Sequence, residues 1–244
     1  MNSPSKQFIT ELTADGSPTL RIKTENSANF SSENRPESMH HSAGAATETK
    51  YIYGEAARLL KKTVVHPQIC VVGLGLGYIE LLMAEIFSEF IIWSYEADDE
   101  LSQSFLNWLE QKKSHLFIYD EVVKSLALDK EYILGQMKKN SLVIKGALNL
   151  STLTEGVQQF NLICFDAFSS KTTSALWTEE FLDFFIQKMC HKSCVFVTYA
   201  CTGVLKRALK KNGFTLLPKK GFTGKRDCTL AFREIDVTDF EKTD

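Results

Sequence analysis

The chain has 244 residues, of which 44% are apolar and 24% charged, and this composition is typical of an ordinary globular protein with room for one α/β domain. Its net charge of −2 argues against a protein that binds nucleic acid over its whole surface. No apolar run approaches the ~18 residues of a membrane span, and the first twelve residues lack an apolar signal core, so we expect a cytoplasmic protein that does not enter a membrane.

The N-terminal segment predicts a β-hairpin followed by a loop. Residues 7–12 and 19–23 have extended patterns, and Asp15-Gly16 between them is a strong turn signal. Residues 27–37 are polar and contain a proline, which indicates a loop. Apolar positions at helical spacing then predict a helix over residues 46–62.

From residue 68 onwards, predicted strands alternate with predicted helices. Strands are expected at residues 69–72, 90–95, 141–144, 161–165 and 193–198, and a closing strand pair at 215–217 and 229–233. Helices are expected at residues 78–89, 99–109, 120–140, 178–191 and 202–212. This alternation predicts a doubly wound, Rossmann-like α/β domain over residues 46–244 with a seven-stranded, mostly parallel sheet. Residues 1–45 would form a hairpin and loop extension.

A glycine-rich loop follows the first strand of this alternating part. Gly73, Gly75 and Gly77 precede a predicted helix, where glycines let the backbone approach a ligand and the helix N-terminus offers free amides. The spacing departs from the dinucleotide pattern Gly-x-Gly-x-x-Gly, in which the third glycine comes one position later. Alone it is a weak indication of a nucleotide-type cofactor.

Glu96 strengthens that interpretation. It ends the next predicted strand, 19 residues after Gly77, where a carboxylate can accept hydrogen bonds from both hydroxyls of a ribose. An acid at a strand end can also cap the following helix, and Asp98 and Asp99 lie close by. Given the glycine loop upstream, we favour ribose binding.

A second strand-end acid points to chemistry at the same edge of the sheet. The apolar run of residues 162–165 ends abruptly in Asp166, and Trp177 and the residues after it open a helix. Ligands of open α/β sheets bind at the carboxyl ends of the strands. We therefore expect the Asp166 carboxylate to face the reactive group of the cofactor, or else only to bind the cofactor or cap the loop.

Eight basic residues and no acid lie between positions 206 and 226. Two interpretations stay open, a solvated helix face with its loop or a local site for nucleic-acid phosphates. The basic residues are Lys206, Arg207, Lys210, Lys211, Lys219, Lys220, Lys225 and Arg226.

The cysteines do not predict a metal site. Six are scattered along the chain, and Cys190, His191 and Cys194 are close together, but no second pair stands at a zinc spacing. We expect buried, reduced thiols.

Several motifs together carry a resemblance to a known family. They are Glu48-Thr49-Lys50-Tyr51; Asp166-Ala167-Phe168-Ser169 with Leu176-Trp177-Thr178; Thr198-Tyr199 with Gly203, Val204 and Arg207; and Gly221-Phe222 with Gly224-Lys225-Arg226. With the glycine loop and the two strand-end acids, the chain resembles class I S-adenosylmethionine-dependent methyltransferases. More specifically, it resembles the methyltransferase domain of the bifunctional tRNA wobble-uridine enzyme MnmC and the free-standing proteins of that family, over residues 10–233.

The resemblance implies methyl transfer from S-adenosylmethionine to the exocyclic amine of 5-aminomethyl-(2-thio)uridine in the tRNA anticodon. Asp166 would orient that amine and take up developing positive charge. A separate enzyme could supply the aminomethyl precursor. The implied cofactor-binding residues are Glu48, Tyr51, Gly73, Gly75, Gly77, Glu96, Gly146, Ala147 and Asp166. The implied tRNA-binding residues are Phe168, Trp177, Tyr199, Phe222, Lys225 and Arg226, although such aromatics also serve as core residues.

The chain departs from the family pattern in three places. Ala147 follows Gly146 where the family has an acid that holds the adenine amino group, and residues 170–174 replace a proline-containing run. The sequence has no counterpart of the FAD-dependent oxidase half, so we expect the methylation step alone.

Two alternatives belong to other functional classes. An aminopropyltransferase of the spermidine-synthase type shares the fold, the glycine loop and the acid after the second strand, but it requires a dense acidic pocket, whereas the C-terminal region here is basic. A non-catalytic module that binds RNA or a partner protein is the second, and Ala147 is the feature that favours it.

Overall fold

The computed structural model describes residues 7–23, 37–112, 118–154, 158–224 and 227–236. Strands β1 (Gln7–Leu12) and β2 (Pro18–Lys23) pair antiparallel in a two-stranded sheet of their own. The turn between them contains Gly16 at φ 79°, so the predicted hairpin is confirmed. Most of the loop predicted at residues 27–37 lies outside the described residues.

The main sheet has seven strands in the order β5-β4-β3-β6-β7-β9-β8. Every neighbouring pair is parallel except the two pairs that β9 makes with β7 and β8, so the predicted doubly wound, mostly parallel sheet is confirmed. The strands are β3 (Gln68–Val72), β4 (Ile91–Tyr95), β5 (Ser141–Lys145), β6 (Phe160–Phe165), β7 (Cys190–Thr198), β8 (Thr215–Leu217) and β9 (Thr229–Arg233).

Helices cover both faces of this sheet. They are α1 (Ala45–Thr49), α2 (Glu55–Lys61), α3 (Tyr78–Ile86), α4 (Asp99–Leu109), α5 (Tyr119–Ser125), α6 (Lys130–Lys139), α7 (Glu179–Met189) and α8 (Gly203–Lys211). Short 3-10 turns occur at Thr152–Thr154, Ser174–Trp177 and Phe222–Gly224. Among the described residues, no helix has the length and apolar character needed to cross a membrane.

Two helix predictions need correction. The helix predicted over residues 46–62 is α1 and α2 joined by a π-helical turn, Lys50–Gly54. The single helix predicted over residues 120–140 is wrong, because Ala127 takes φ 54° between α5 and α6. Asp129 then starts α6 as its N-cap, its Oδ1 accepting a 2.7 Å hydrogen bond from the Tyr132 amide.

The core lies on both sides of the sheet, as the near-continuous apolar strands predict. In β3, Ile69 and Val71 face a core built with α2, α3, α5 and α6, while Cys70 and Val72 face a second core built with α7 and α8. All four are at most 2% exposed. Alternation of side chains along a strand produces this arrangement, and burial on both faces explains why a period of two is not visible in the sequence.

The hairpin is tied to the main domain through the N-terminus of α1. Ser17 Oγ accepts hydrogen bonds from the amides of Ala45 (2.9 Å) and Ala46 (3.0 Å). Asp15 Oδ2 accepts one from the Thr47 amide at 3.1 Å. The hairpin turn thus supplies the oxygen acceptors that the free amides of a helix N-terminus require. A domain boundary at residue 45 stays a prediction.

Candidate active site

A cavity of about 880 Å³ lies at the carboxyl ends of β3, β4 and β6. Loops that follow these strands line it, together with residues 37–42 after the hairpin and with parts of the segment from α1 to the π-helical turn. Eight residues predicted for the site line the cavity, namely Glu48, Gly73, Gly75, Glu96, Ala147, Asp166, Phe168 and Tyr199. Parallel strands bring their ends to one edge, which explains why residues so distant in sequence meet here.

The glycine loop is shaped by close packing at both of its ends. Gly73 has φ 97°, and a Cβ there would lie 2.7 Å from the carbonyl oxygen of Asp166. Gly77 has φ 71° as the N-cap of α3, and a Cβ there would lie 2.4 Å from the Phe105 ring. Only glycine takes such conformations without strain and leaves this space. Gly77 itself does not line the cavity; it sets the direction in which α3 leaves the loop.

Glu96 holds the glycine loop beside the cavity. Its Oε2 accepts a hydrogen bond from the Gly75 amide (3.0 Å), and its Oε1 accepts one from the Asp98 amide (2.9 Å). Burial raises the pKa of Glu96, and these amide donors oppose that shift. The cap of α4 is Asp98, whose Oδ1 accepts from the Glu100 amide at 3.0 Å, so Glu96 does not cap that helix.

Asp166 lies at the end of β6, with its amide bonded to the Val72 carbonyl at 2.8 Å. Its Oδ1 accepts a hydrogen bond from the Tyr53 hydroxyl at 2.5 Å. Burial raises the pKa of Asp166 well above its usual value, the Tyr53 hydroxyl lowers it, and the negative charges of Glu48 and Glu80 raise it further. A carboxylate in this place has a high affinity for a proton or for another cation.

The loop after β6 forms one wall of the cavity, and two side chains hold it in place by hydrogen bonds to its carbonyl groups. The Tyr199 hydroxyl donates to the Ala167 carbonyl (2.9 Å), and the Trp177 indole N–H donates to the Phe168 carbonyl (2.8 Å). Trp177 is 7% exposed and packs edge-on against Phe165. Phe168 and Tyr199 thus line the cavity, whereas Trp177 lies behind its wall.

Glu48 and Tyr51 belong to one motif, but the structure separates them. Glu48 lines the cavity, and its Oε2 accepts from the His41 amide at 2.8 Å. Tyr51 does not line the cavity; its hydroxyl donates to the Lys220 carbonyl at 2.9 Å. Phe222 packs against Tyr51 and against His41, with ring centroids 6.2 Å and 5.7 Å apart. Phe222 is therefore one layer behind the cavity surface.

The remaining predicted residues lie after β5 or outside the described ranges. Ala147 lines the cavity beside the buried Leu148, while the neighbouring Gly146 does not. Lys225 and Arg226, predicted to contact tRNA phosphates, lie outside the described residues.

Tyr53 and Glu37 make hydrogen bonds across the cavity wall and were not among the residues predicted from the sequence. Tyr53 lies only two positions after Tyr51, but nothing in the motif distinguishes it as the partner of Asp166. Glu37 accepts hydrogen bonds from Ser169 Oγ (3.0 Å) and Thr172 Oγ1 (2.8 Å), joining the segment after the hairpin to the loop after β6. A glutamate in a polar loop carries no signal of such a contact, because the contact depends on tertiary structure.

The Lys, Arg, Asp and Glu side chains of the cavity wall are acidic only, among the described residues. Among the described residues that line it there are no lysines or arginines, whereas five carboxylates are present: Glu37, Glu48, Glu96, Asp98 and Asp166. Such a wall favours a cationic ligand, since nearby carboxylates stabilise positive charge in a partly desolvated site.

Comparison with known proteins identifies the family. The sequence model of a family described as "S-adenosyl-L-methionine-dependent methyltransferase" matches residues 110–234, just over half of the chain. The chain belongs to this methyltransferase family. The predicted S-adenosyl-L-methionine cofactor is thereby confirmed.

A curated relative extends the match along the chain. The uncharacterized protein MJ0670 of Methanocaldococcus jannaschii is 24% identical over 227 residues, which cover 91% of this chain and 58% of that protein. The chain thus spans 58% of the length of the curated relative that it matches.

Solved structures share the fold of this methyltransferase. MnmC2 from Aquifex aeolicus superposes with a TM-score of 0.66 at 22% identity, covering 97% of this chain and 73% of that one. Spermidine synthase from Thermotoga maritima gives 0.53 at 14% identity, covering 96% and 75%. Human methyltransferase-like protein 13 in complex with SAH gives 0.51 at 18% identity, covering 80% and 86%. The class I methyltransferase fold and its likeness to MnmC proteins, both predicted from the motifs, are confirmed.

The residues around the cavity fit S-adenosyl-L-methionine. The absence of a side chain at Gly73 lets the glycine loop pack directly on the Asp166 backbone at the edge of the cavity, since a Cβ there would collide with the Asp166 carbonyl group. Glu96 offers carboxylate oxygens to ribose hydroxyls at the next strand end, and Leu148 is an apolar neighbour for a base. Glu48 and Asp166 are anionic groups suited to the positive charge of the cofactor.

Proposed function

We propose that this protein methylates the exocyclic amine of 5-aminomethyl-(2-thio)uridine at the wobble position of tRNA. The observation that carries the proposal is the half-buried Asp166 carboxylate, which lies against the glycine loop and opens into a cavity lined by carboxylates. An amine acceptor carries a proton in water at neutral pH and must lose it before it can attack a methyl group. A site with anionic groups and a strong proton acceptor suits that substrate.

The cofactor would lie along the carboxyl ends of β3 and β4. Glu96 would bind the ribose, the amides of the glycine loop would face the cofactor, and Ala147 would stand next to the base. When bound, S-adenosyl-L-methionine supplies a methyl carbon attached to a positively charged sulfur, which an unprotonated amine can attack. The side chain of Ala147 has no hydrogen-bond acceptor, so it would not bind the adenine amino group.

Asp166 would perform the proton chemistry at the acceptor. Its carboxylate would accept a hydrogen bond from the substrate ammonium, orient the nitrogen and take up its proton at Oδ2. Tyr53 would keep Oδ1 occupied and fix the carboxylate plane through its 2.5 Å hydrogen bond. The raised pKa brings Asp166 closer to the basicity of an amine, which makes this proton transfer easier.

Support for a tRNA acceptor comes from the similarity to MnmC2 and from the surface around α8. Arg207 and Lys210 of this helix are exposed. Phe168 and Tyr199 on the cavity wall offer aromatic faces to a base, while Trp177 supports the Phe168 loop and Phe222 packs behind His41. Lys225 and Arg226 would add phosphate contacts. An enzyme of a different reaction class must make the aminomethyl group before methylation.

A specific observation also favours aminopropyl transfer to a polyamine as a second candidate. The basic C-terminal region argues against this function, but the cavity itself is lined by carboxylates, which a polyamine requires. The similarity of the fold to spermidine synthase agrees with this candidate.

Calorimetric titration with S-adenosyl-L-methionine, followed by transfer of labelled methyl to tRNA, tests the proposal. We expect micromolar cofactor binding and label entering aminomethylated tRNA, but not unmodified or already methylaminomethylated tRNA. Asp166→Asn is expected to lower the transfer rate about 10²-fold or more, since it removes the proton acceptor. The control Asp129→Asn keeps the cap of α6 and is expected to transfer methyl at the normal rate.

Other outcomes would select a different function. Product formation from putrescine and decarboxylated S-adenosylmethionine, without methylation of tRNA, would establish the polyamine reaction. Absence of cofactor binding would support the non-catalytic module that Ala147 suggests.

A further inference from the structure

Lys219 does not belong to the phosphate-binding face that the basic run between positions 206 and 226 suggests. Its side chain is only 5% exposed, whereas Lys206 is half-buried and the other described members of the run are exposed, namely Arg207, Lys210, Lys211 and Lys220. A buried ammonium is stable only when other groups compensate its charge. Its partners therefore indicate its role.

The partners of Lys219 belong to the helical segment that precedes the main sheet. Its Nζ forms an ion pair with Glu55 of α2 and lies 3.9 Å from the centroid of the Tyr51 ring. A cation over an aromatic face and beside a carboxylate is a specific arrangement, since both partners must be in place for the charge to be buried.

Contacts of Tyr51 and Phe222 connect Lys219 and its neighbours to the cavity wall. The Tyr51 hydroxyl donates to the carbonyl of Lys220, and the Tyr51 ring packs against Phe222, whose ring meets His41. His41 lines the cavity, and its amide donates to Glu48 Oε2. Residues 218–224, which we name the C-terminal loop, are thus fastened to the segment that also carries Glu48 and Tyr53.

We infer that Lys219 is a positioning residue for the acceptor: it holds the C-terminal loop against Tyr51 and so sets the side of the cavity where the nucleotide enters. The inference rests on the proposed function for the identity of the acceptor. Lys219 itself touches neither the cavity nor the reacting atoms, so its loss affects acceptor binding and not the chemical step or the cofactor.

The test compares Lys219→Met with Lys124→Met, a matched change at an exposed lysine that pairs with Glu121 on α5. Amide hydrogen exchange over residues 218–224 is expected to become at least tenfold faster in Lys219→Met and to stay unchanged in Lys124→Met. In the tRNA assay we expect KM for aminomethylated tRNA to rise about fivefold, with kcat and the cofactor Kd within about twofold of wild type.

Two further variants separate the charge from the packing. Lys219→Arg keeps a cation beside Glu55 and is expected to restore part of the exchange protection. Glu55→Gln leaves the ammonium without its carboxylate and is expected to reproduce the effect of Lys219→Met, which keeps the test valid if the methionine variant does not fold.

The outcomes distinguish the inference from the proposed function. Unchanged exchange in the C-terminal loop of both Lys219→Met and Glu55→Gln overturns the inference, as does a loss confined to kcat. If wild-type protein methylates no tRNA, the proposed function fails, and hydrogen exchange alone then decides whether Lys219 fastens the loop.

Discussion

Glu80 of α3 is a buried carboxyl group that faces β4. It is fully buried, Ser94 Oγ donates to its Oε1 at 2.5 Å, and no hydrogen-bond partner within the described part of the chain reaches its Oε2. Burial raises the pKa of Glu80 to about 8, so the group is protonated at neutral pH. When Glu80 ionises above this pKa, its negative charge raises the pKa of Asp166, although Glu80 does not line the cavity.

Glu80 makes the stability of the folded protein dependent on pH. Because its pKa rises from 4.5 to about 8 on folding, the folded state binds more protons in this window, and stability falls as pH increases from about 4.5 to about 8. Glu80→Gln removes this dependence, and we expect it to be several kcal/mol more stable relative to wild type at pH 8.5 than at pH 5. Urea denaturation at both pH values measures the difference. Glu85→Gln, at an exposed glutamate of the same helix, is the control substitution.

Tyr53 controls the protonation of Asp166 in the proposed reaction. Its hydroxyl stabilises the carboxylate, so Tyr53→Phe raises the pKa of Asp166 further. The acid limb of the pH profile of kcat/KM should then move to higher pH, because the carboxylate form is lost earlier on acidification. We expect kcat at neutral pH to fall about tenfold, as for one lost hydrogen bond to a charged group. Tyr132→Phe, at an exposed tyrosine of α6, is the control, and an unmoved acid limb would contradict the role of Tyr53.

At the scale of elements, the glycine loop shows how one local conformation positions both the cavity floor and a helix. Gly73 lets the loop touch the backbone after β6, and Gly77 starts α3. We expect Gly77→Ala to lower the free energy of unfolding by about 1–3 kcal/mol, since φ 71° is strained for alanine and its Cβ meets the Phe105 ring. Chemical denaturation and calorimetric cofactor binding measure the effect, and both stability and cofactor affinity should decrease.

Gly135→Ala is the matched control for this element. Gly135 lies inside α6 with no atom near the position of an added Cβ. Alanine there is expected to stabilise the protein by about 0.5–1 kcal/mol, because it lowers the entropy of the unfolded chain. A Gly77→Ala variant as stable as wild type would show that the loop tolerates an alternative conformation.

At the scale of the whole molecule, the hairpin and the main domain depend on one another through Ser17. Its hydroxyl is fully buried and accepts from two amides at the start of α1. We expect Ser17→Ala to lower the free energy of unfolding by about 1–2 kcal/mol, because the two amides at the start of α1 lose their hydrogen-bond acceptor in a buried place. Thermal or urea unfolding measures this, with the exposed Ser88→Ala as control. Equal stability of both variants would mean that the hairpin does not contribute to the helix.

Individual residues show which features of the fold and of the cavity could be predicted from the sequence and which could not. The strands and the positions of Gly73, Glu96 and Asp166 could be predicted, because apolar runs, glycines and strand-end acids are local patterns. The division between α5 and α6 could not, since Ala127 in a left-handed conformation leaves no mark in composition. The hydrogen bond between Tyr53 and Asp166 joins positions 113 apart in the sequence, so only folding brings the two groups together.

The sequence alone was enough to predict the alternation of strands with helices, the doubly wound sheet and the methyltransferase family, and it led to the prediction that the cofactor binds at the carboxyl edge of the sheet. These follow from short-range physical preferences and from motifs that are contiguous in the chain. Tertiary structure alone decided the burial of Lys219, the acidic cavity wall, the capping of α1 by the hairpin turn and the partner of Asp166. Such features depend on which side chains exclude water from one another, and that depends on distances across the folded molecule.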